Sequence, residues 1–466
     1  MVSIFGSPDP SLASVLADAS APSFPTIYGP VSNGVAARGR LRPPGSKSMT
    51  QRYLSLALCA GRFLAIEQPL LSDDIRHFLG AFRAIGWSLG GSSERLELTP
   101  PAALQGGDER IDLFCGAGGT MLRFLTAVLT VVPGRFRLDG VPRLRERTVA
   151  PLIDAVRQLG GDVSSLEQPG FAPLDIRGRS LRGGRATLDA GASSQFLSAL
   201  LLAATRADEP VEIEVAALTS EPYVDLTVEA VQAMGGRVTR ERSFGGAAAL
   251  YRVEPGLDPQ STVAVEADFS AVAYPAAAAA LTGGEVQLDA VSPRSAQGDR
   301  RFVDLLEAMG ATVSWPADGA REPLVVRGSR PLEAVEVDLG SMPDQVPTLA
   351  ALAPFAQGVT RMRGVAHLRI KESDRLRAMA TELRRAGAEA EELDDGLVVP
   401  GVWAETPPPT TPVVCESWDD HRIAMSMALV GTRRPGLSIR QPEVVAKSYP
   451  WFWRDLEQLV GAPPPS

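Results

Sequence analysis

Glu307-Ala308-Met309-Gly310-Ala311-Thr312-Val313-Ser314 reads as the last turn of a helix, a closing glycine and the start of a strand. The residue after a helix often turns left-handed, a conformation glycine adopts without steric cost. The same punctuation recurs at Phe82-Arg83-Ala84-Ile85-Gly86, Val156-Arg157-Gln158-Leu159-Gly160, Val231-Gln232-Ala233-Met234-Gly235, Arg384-Arg385-Ala386-Gly387 and Gln458-Leu459-Val460-Gly461. Successive glycines lie 74, 75, 75, 77 and 74 residues apart. Chance does not space six helix ends so evenly. The period is longer than the 20 to 50 residues of a solenoid repeat and suits a small α/β block.

About forty residues before each glycine lies another helix start, polar or glycine-rich ahead of an apolar run: Ser46 to Ser48, Gly118 to Thr120, Ser193 to Gln195, Asp268 to Ser270, Pro343 to Asp344 and Asp419 to Arg422. A second helix is predicted to begin near Asp73, Arg147, Pro222, Asp299, Ser373 and Lys447. Each block thus carries two helices with strands between and after them. A chain of 466 residues exceeds one core, so two or three domains are expected. Six blocks divide by symmetry into two lobes of three.

Residues 1–30 are rich in Ser, Pro and Ala, with no basic residue before Arg38, and read as a loose extension. Secretory and organellar leaders want early basic residues, which this stretch lacks. Phe196 to Ala204 and Ala276 to Leu281 are too short to span a bilayer, and Pro407 to Pro412 reads as a loop insertion. Cys59, Cys115 and Cys415 form no CxxC pair and cannot all be disulfide-bonded, which points to a reducing cytoplasm. His77, His367 and His421 make neither HxH nor HExxH, so no transition-metal site is expected. The net charge of −9 makes nucleic acid and anionic membranes poor partners.

Against that overall sign, Lys47, Arg52, Arg123, Arg147, Lys371, Arg375, Arg422 and Lys447 all fall near predicted helix N-termini. A helix N-terminus carries about half a positive charge, so cations there are unfavourable unless an anion faces them. A capped, solvated helix start would explain one of them; eight imply a cavity for several negative charges. Ser48 and Arg52, four apart, are expected to share one helical face and one anion. Among the accompanying carboxylates, Asp73, Asp374 and Asp419 read as surface ion pairs. Asp344 and Glu372 read as chemical groups, because cations around a carboxylate control its proton affinity.

These residues carry a resemblance to the 5-enolpyruvylshikimate-3-phosphate synthase family, running from about Gly34 to Val460. It rests on Pro44-Gly45-Ser46-Lys47-Ser48, Gly118-Gly119-Thr120 with Arg123, Arg143-Leu144-Arg145-Glu146-Arg147 and Ser193-Ser194-Gln195-Phe196. Further along the chain it rests on Pro222-Tyr223-Val224-Asp225, Pro343-Asp344, Lys371-Glu372-Ser373-Asp374-Arg375, Asp420-His421-Arg422 and Ala446-Lys447. The resemblance implies a two-lobed inside-out α/β barrel of six βαβαββ repeats, with one lobe of residues 44–264 and the other of 31–43 plus 265–466. It implies transfer of the enolpyruvyl group of phosphoenolpyruvate to the 5-hydroxyl of shikimate 3-phosphate, with no metal or organic cofactor, by a cytoplasmic monomer.

By similarity, Lys47, Ser48, Arg52, Ser193, Ser194, Gln195, Ser220, Tyr223, Asp344, His367 and Lys371 would hold shikimate 3-phosphate. Lys47, Gly119, Arg147, Gln195, Arg375, Arg422 and Lys447 would hold phosphoenolpyruvate. Asp344 would be the base for the hydroxyl, Glu372 the proton donor to the methylene carbon, and Lys47 a further catalytic group.

Ala117, Phe124, Thr148 and His367 depart from the commonest family pattern, where Asn, Pro, Pro and Asn are frequent. None of them removes a cation. Ser193-Ser194-Gln195 matches the glyphosate-sensitive class rather than the Ser-Ala-Gln of the tolerant one. Two other readings stay open. One is the sister transferase acting on a UDP-sugar, which depends on a loop cysteine and an Asn after its first lysine; here Ser48 follows Lys47, and Cys115 reads as a buried strand residue. The other is a non-catalytic or specialised relative that binds shikimate-like phosphates.

The resemblance puts half of the cations on each lobe, and like-charged walls repel until an anion bridges them. Shikimate 3-phosphate is therefore expected to draw the lobes together. X-ray scattering should show a more compact particle with both ligands, and identical profiles would remove the expectation.

Overall fold

The computed structural model describes residues 26–31, 34–102, 109–242, 249–258, 260–317 and 322–461. The expected loose extension lies outside the described residues as far as residue 25. At Ile27–Tyr28 the expectation is corrected: these residues pair antiparallel with Ile439 and Arg440. The ring of Tyr28 stacks 4.1 Å from Trp453, and its hydroxyl donates to Glu457. An aromatic buried this far anchors the strand, which a composition rich in Ser and Pro did not foretell.

The chain divides into two compact units, of which the described parts are Gly45–Val265 and Thr26–Pro44 with Glu266–Gly461. The local rule is the same in both. In the block from Arg110 to Gly178, the strand Arg110–Phe114 leads through the helix Gly119–Val128 to a parallel neighbour, Gly134–Asp139. The helix Ala150–Gln158 then leads to the antiparallel pair Asp162–Ser165 and Leu174–Gly178. Five four-stranded sheets share this order, first, second, fourth, third. The sheet of the sixth block is three-stranded: Val413–Cys415 lies parallel to Leu437–Arg440, and Ile27–Tyr28 completes it.

Two blocks take their first strand from a distant part of the chain. Thr262–Ala264 pairs parallel with Leu64–Glu67 in the first unit. Arg38–Leu41 pairs parallel with Glu285–Leu288 in the second.

In each unit three helices touch one another and are buried around their circumference. In the first they are Lys47–Ala60, Gly119–Val128 and Gln195–Ala204. In the second they are Phe269–Thr282, Val346–Leu352 and His421–Gly431. The second helix of each block is instead amphipathic, as Asp73–Ala84 shows by burying Ile75, Phe78, Leu79 and Phe82. Among the described residues no helix is long and apolar enough to cross a membrane.

The six glycines that mark the repeat all have positive φ, from 74° at Gly235 to 102° at Gly310. Three helix starts differ from expectation, and proline is the reason in each case. The helix expected near Arg147 begins at Ala150, with Pro151 in its first turn and the Thr148 hydroxyl accepting from the Ala150 N–H at 3.2 Å. A 3-10 turn, Pro343–Gln345, precedes Val346–Leu352, which contains Pro347. Another, Pro442–Lys447, precedes the helix Phe452–Val460, with Pro450 between them.

A methyl group on Gly401 would sit 1.6 Å from the carbonyl oxygen of Ala356, which is backbone and cannot swing away. On Gly80, in the helix Asp73–Ala84, it would meet nothing within 4 Å. Denaturant unfolding should therefore show Gly401→Ala destabilised by about 3 kcal/mol and Gly80→Ala stabilised by about 0.5 to 1 kcal/mol.

Candidate active site

In the first unit, Ser46 caps the helix Lys47–Ala60 by accepting from the Met49 N–H at 3.4 Å, so Lys47 is its first residue. The Lys47 ammonium donates to Asp74 Oδ2 at 3.1 Å, and both side chains are largely buried. Sequence reasoning named Asp73 and passed over Asp74, which only tertiary packing brings to Lys47. Arg52 is 2% exposed. Its guanidinium donates to the Ser48 carbonyl at 2.8 Å, to Thr227 Oγ1 at 2.9 Å and to the Tyr223 carbonyl at 2.5 Å. It straps the helix Lys47–Ala60 to Pro222–Ala233, and it lies 5.4 Å from the Phe124 ring centre.

Gln195 opens the third buried helix of this unit. Its Oε1 accepts from Arg123 at 2.6 Å and its Nε2 donates to Thr120 Oγ1 at 2.9 Å. Ser193 and Ser194 are buried beside it, and the Ser193 hydroxyl accepts from the Gln195 N–H at 3.3 Å. Ser220 holds a left-handed backbone, φ 50°, just before Pro222–Ala233, which carries Tyr223. A Cβ on Gly119 would lie 2.4 Å from Nη1 of Arg147, so glycine lets that guanidinium cross the helix start.

In the second unit the buried guanidinium of Arg375 meets three carboxylates. Its Nε donates to Asp420 Oδ2 at 2.8 Å, Nη1 to Asp344 Oδ1 at 2.9 Å and Nη2 to Glu372 Oε2 at 2.9 Å. Arg422 Nη2 donates to Asp344 Oδ2 at 2.6 Å, and Lys447 Nζ to Glu372 Oε1 at 3.2 Å. Asp420 also caps the helix His421–Gly431 by accepting from the Arg422 N–H at 3.0 Å. Sequence reasoning noted Asp420 without giving it this part. Asp374 pairs with Arg369 at 3.0 Å, at about a third exposure, as a surface ion pair would.

Burial alone would raise the proton affinity of Asp344, but Arg422, Arg375 and Lys371 outweigh it and hold the carboxyl well below the usual range. His367, on the turn Ala366–Ile370, is pulled down to about 4 by burial and then by the Lys371 charge, so it is neutral at pH 7. A neutral imidazole offers a donor and an acceptor, as does the Asn frequent in the family at this position. Cys115 is fully buried, and burial, then Asp139 and Asp74, push its thiol well above the ordinary value. It is not a reactive loop cysteine.

Each α/β unit presents cations near helix starts, Lys47 against Asp74 in the first and Arg375, Arg422 and Lys447 against Asp344, Glu372 and Asp420 in the second, an arrangement suited to small anions. The model of the EPSP synthase (3-phosphoshikimate 1-carboxyvinyltransferase) family matches residues 31–456, and the chain belongs to that family. A 3-phosphoshikimate 1-carboxyvinyltransferase of Syntrophobacter fumaroxidans is 41% identical over 91% of this chain and 97% of its own length. One from Shewanella amazonensis is 38% identical over 91% and 96%. A solved EPSP synthase from Acinetobacter baumannii superposes with a TM-score of 0.74 at 27% identity, covering 93% of this chain and 98% of its own.

Because the folded state resists protonating His367, stability should fall as pH drops from about 6.5, the unfolded value, toward about 4. An NMR titration should place the His367 midpoint near 4; a midpoint near 6.5 would mean that the Lys371 charge and the burial do not act on it.

Proposed function

We propose that this protein transfers the enolpyruvyl group of phosphoenolpyruvate to the 5-hydroxyl of shikimate 3-phosphate and releases phosphate, in the shikimate pathway to aromatic amino acids. The observation that carries this reading is the second unit's network, in which Arg375, Arg422 and Lys447 are paired with Asp344 and Glu372, and Arg375 also with Asp420. The carboxylates stand where the anions of a substrate would go. As phosphoenolpyruvate takes up the cations, Asp344 and Glu372 lose their partners and become more basic. Anion binding and proton transfer are thereby coupled.

Asp344 then accepts the proton of the 5-hydroxyl as that oxygen attacks carbon 2, and Glu372, protonated from solvent once its cations are taken up, gives its proton to carbon 3. Carbon 3 returns that proton to Glu372 as the tetrahedral intermediate expels phosphate, which takes up the proton held by Asp344 and whose charge is stabilised by Lys47, Arg422 and Lys447. Ser48, Arg52, Ser193, Ser194, Gln195, Ser220, Tyr223, His367 and Lys371 are assigned to shikimate 3-phosphate, and Gly119, Arg147 and Arg375 to phosphoenolpyruvate. The buried Cys115 speaks against the UDP-sugar reaction, and the intact carboxylate–cation network against a non-catalytic relative.

Each unit is taken as an inside-out barrel, a reading supported by three helices buried on nearly all faces. Cytoplasmic residence fits the three buried free cysteines, and a monomer is the assembly state we assign.

Phosphate release should require both substrates and survive EDTA; release that needs a UDP-sugar instead would transfer the assignment to the sister enzyme. Glu372→Gln should lower turnover about tenfold or more while preserving phosphoenolpyruvate binding, because the amide keeps the shape without the proton. Gly119→Ala should fold, since its methyl meets the movable end of Arg147, and should weaken phosphoenolpyruvate and, more strongly, the longer glyphosate. Unchanged inhibition by glyphosate would place Gly119 outside the pocket.

A further inference from the structure

Ser270 is the second residue of the buried helix Phe269–Thr282, and its backbone N–H is taken by the cap Asp268 at 2.8 Å. Its hydroxyl donates to Oδ2 of Asp299, which lies on the turn Gly298–Arg300. A hydroxyl that gives its one hydrogen to a carboxylate has only lone pairs left. Arg422 Nη2 stands 3.3 Å from that oxygen and donates to it, while also donating to Asp344 Oδ2 at 2.6 Å. Four separate elements, the turns Gly298–Arg300 and Pro343–Gln345 and the helices Phe269–Thr282 and His421–Gly431, thus meet in one hydrogen-bonded line, Asp299–Ser270–Arg422–Asp344.

Asp299 is 4% exposed, and its Oδ1 has no hydrogen-bond partner among the described residues. A half-satisfied buried carboxylate costs stability, and fold alone gives no reason to keep one there. Burial and then the neighbouring Asp344 raise its proton affinity above the ordinary carboxylate range, against the pull of Arg422 and Ser270.

We propose that Asp299 is a positioning residue for phosphoenolpyruvate: it orients the Ser270 hydroxyl, which fixes the plane of the Arg422 guanidinium. This rests on the reading of Arg422 as a phosphoenolpyruvate contact. Guanidinium recognition of carboxylate or phosphate is planar and two-pronged, so the setting of that plane governs affinity. Without the Ser270 acceptor, Arg422 has one fixed partner fewer and turns toward Asp344.

The test is a double-mutant cycle on the whole protein with Ser270→Ala, Asp299→Ala and the pair, reading kcat, KM for phosphoenolpyruvate and calorimetric binding of inorganic phosphate. Ser270→Ala should raise KM about fivefold with kcat within about twofold and an unchanged melting temperature. The double variant should lose no more than Ser270→Ala alone, since both act along one line. Asp299→Asn, whose amide oxygen still accepts from Ser270, should recover most of the affinity. Additive losses, or an Asp299→Ala defect with Ser270→Ala silent, would overturn the proposal. Should Asp299→Ala not fold, Ser270→Thr replaces it, and a threonine that fails to restore affinity lost in Ser270→Ala overturns the proposal. If the wild type released no phosphate, the proposed reaction would fail separately. Phosphate binding would still decide here, with weaker binding in Ser270→Ala supporting the line and unchanged binding refuting it.

Discussion

The second unit's site depends on one buried ion cluster, Arg375 with Asp420. Asp420 is completely buried and Arg375 nearly so, and removing Arg375 would leave Asp420 an interior charge without its guanidinium partner. Asp420 also caps His421–Gly431 and accepts from the Ser373 hydroxyl at 3.0 Å. One carboxylate therefore sets the start of a core helix and the position of a guanidinium that meets two further carboxylates. Asp344 and Glu372 then attach to the outer edge of that guanidinium, at 22% and 16% side-chain exposure. Burial is graded: the inner carboxylate is sealed and the outer two reach solvent.

The first unit answers with neutral scaffolding. Arg52 is fixed by two carbonyls and a hydroxyl, and Arg123 by the Gln195 amide, so these cations keep their full charge uncompensated by carboxylates at those contacts. Lys47 leans on an acid, Asp74. Cations held by dipoles remain attractive to a phosphate, whereas cations held by carboxylates must first be released.

Much of this was legible in the sequence because it breaks local rules. Cations at helix starts are electrostatically misplaced, and glycines at even intervals have no packing excuse, so both stand out. Asp74, Asp299 and Ser270 obey local rules as ordinary first-turn residues, and only tertiary packing gives them partners. Arg52 was visible as a charge, but its hydrogen bonds to Tyr223 and Thr227 span more than 170 positions and leave no periodic trace. Ile27–Tyr28 was hidden for the same reason, its partners lying at Ile439 and Arg440.

The borrowed strands have a consequence for synthesis. Arg38–Leu41 leaves the ribosome before nearly everything else described, yet its parallel partner Glu285–Leu288 follows some 250 residues later. At ordinary elongation rates of about 5–20 residues per second the strand waits on the order of tens of seconds with its edges unpaired. The unit between them, closed by Thr262–Ala264, is complete before that partner emerges. Three of the waiting strand's four residues are Arg38, Gly39 and Arg40, and charge with a glycine on a bare edge is what discourages it from pairing with another nascent chain. Its composition suits the interval before its neighbours exist as well as its place in the finished sheet.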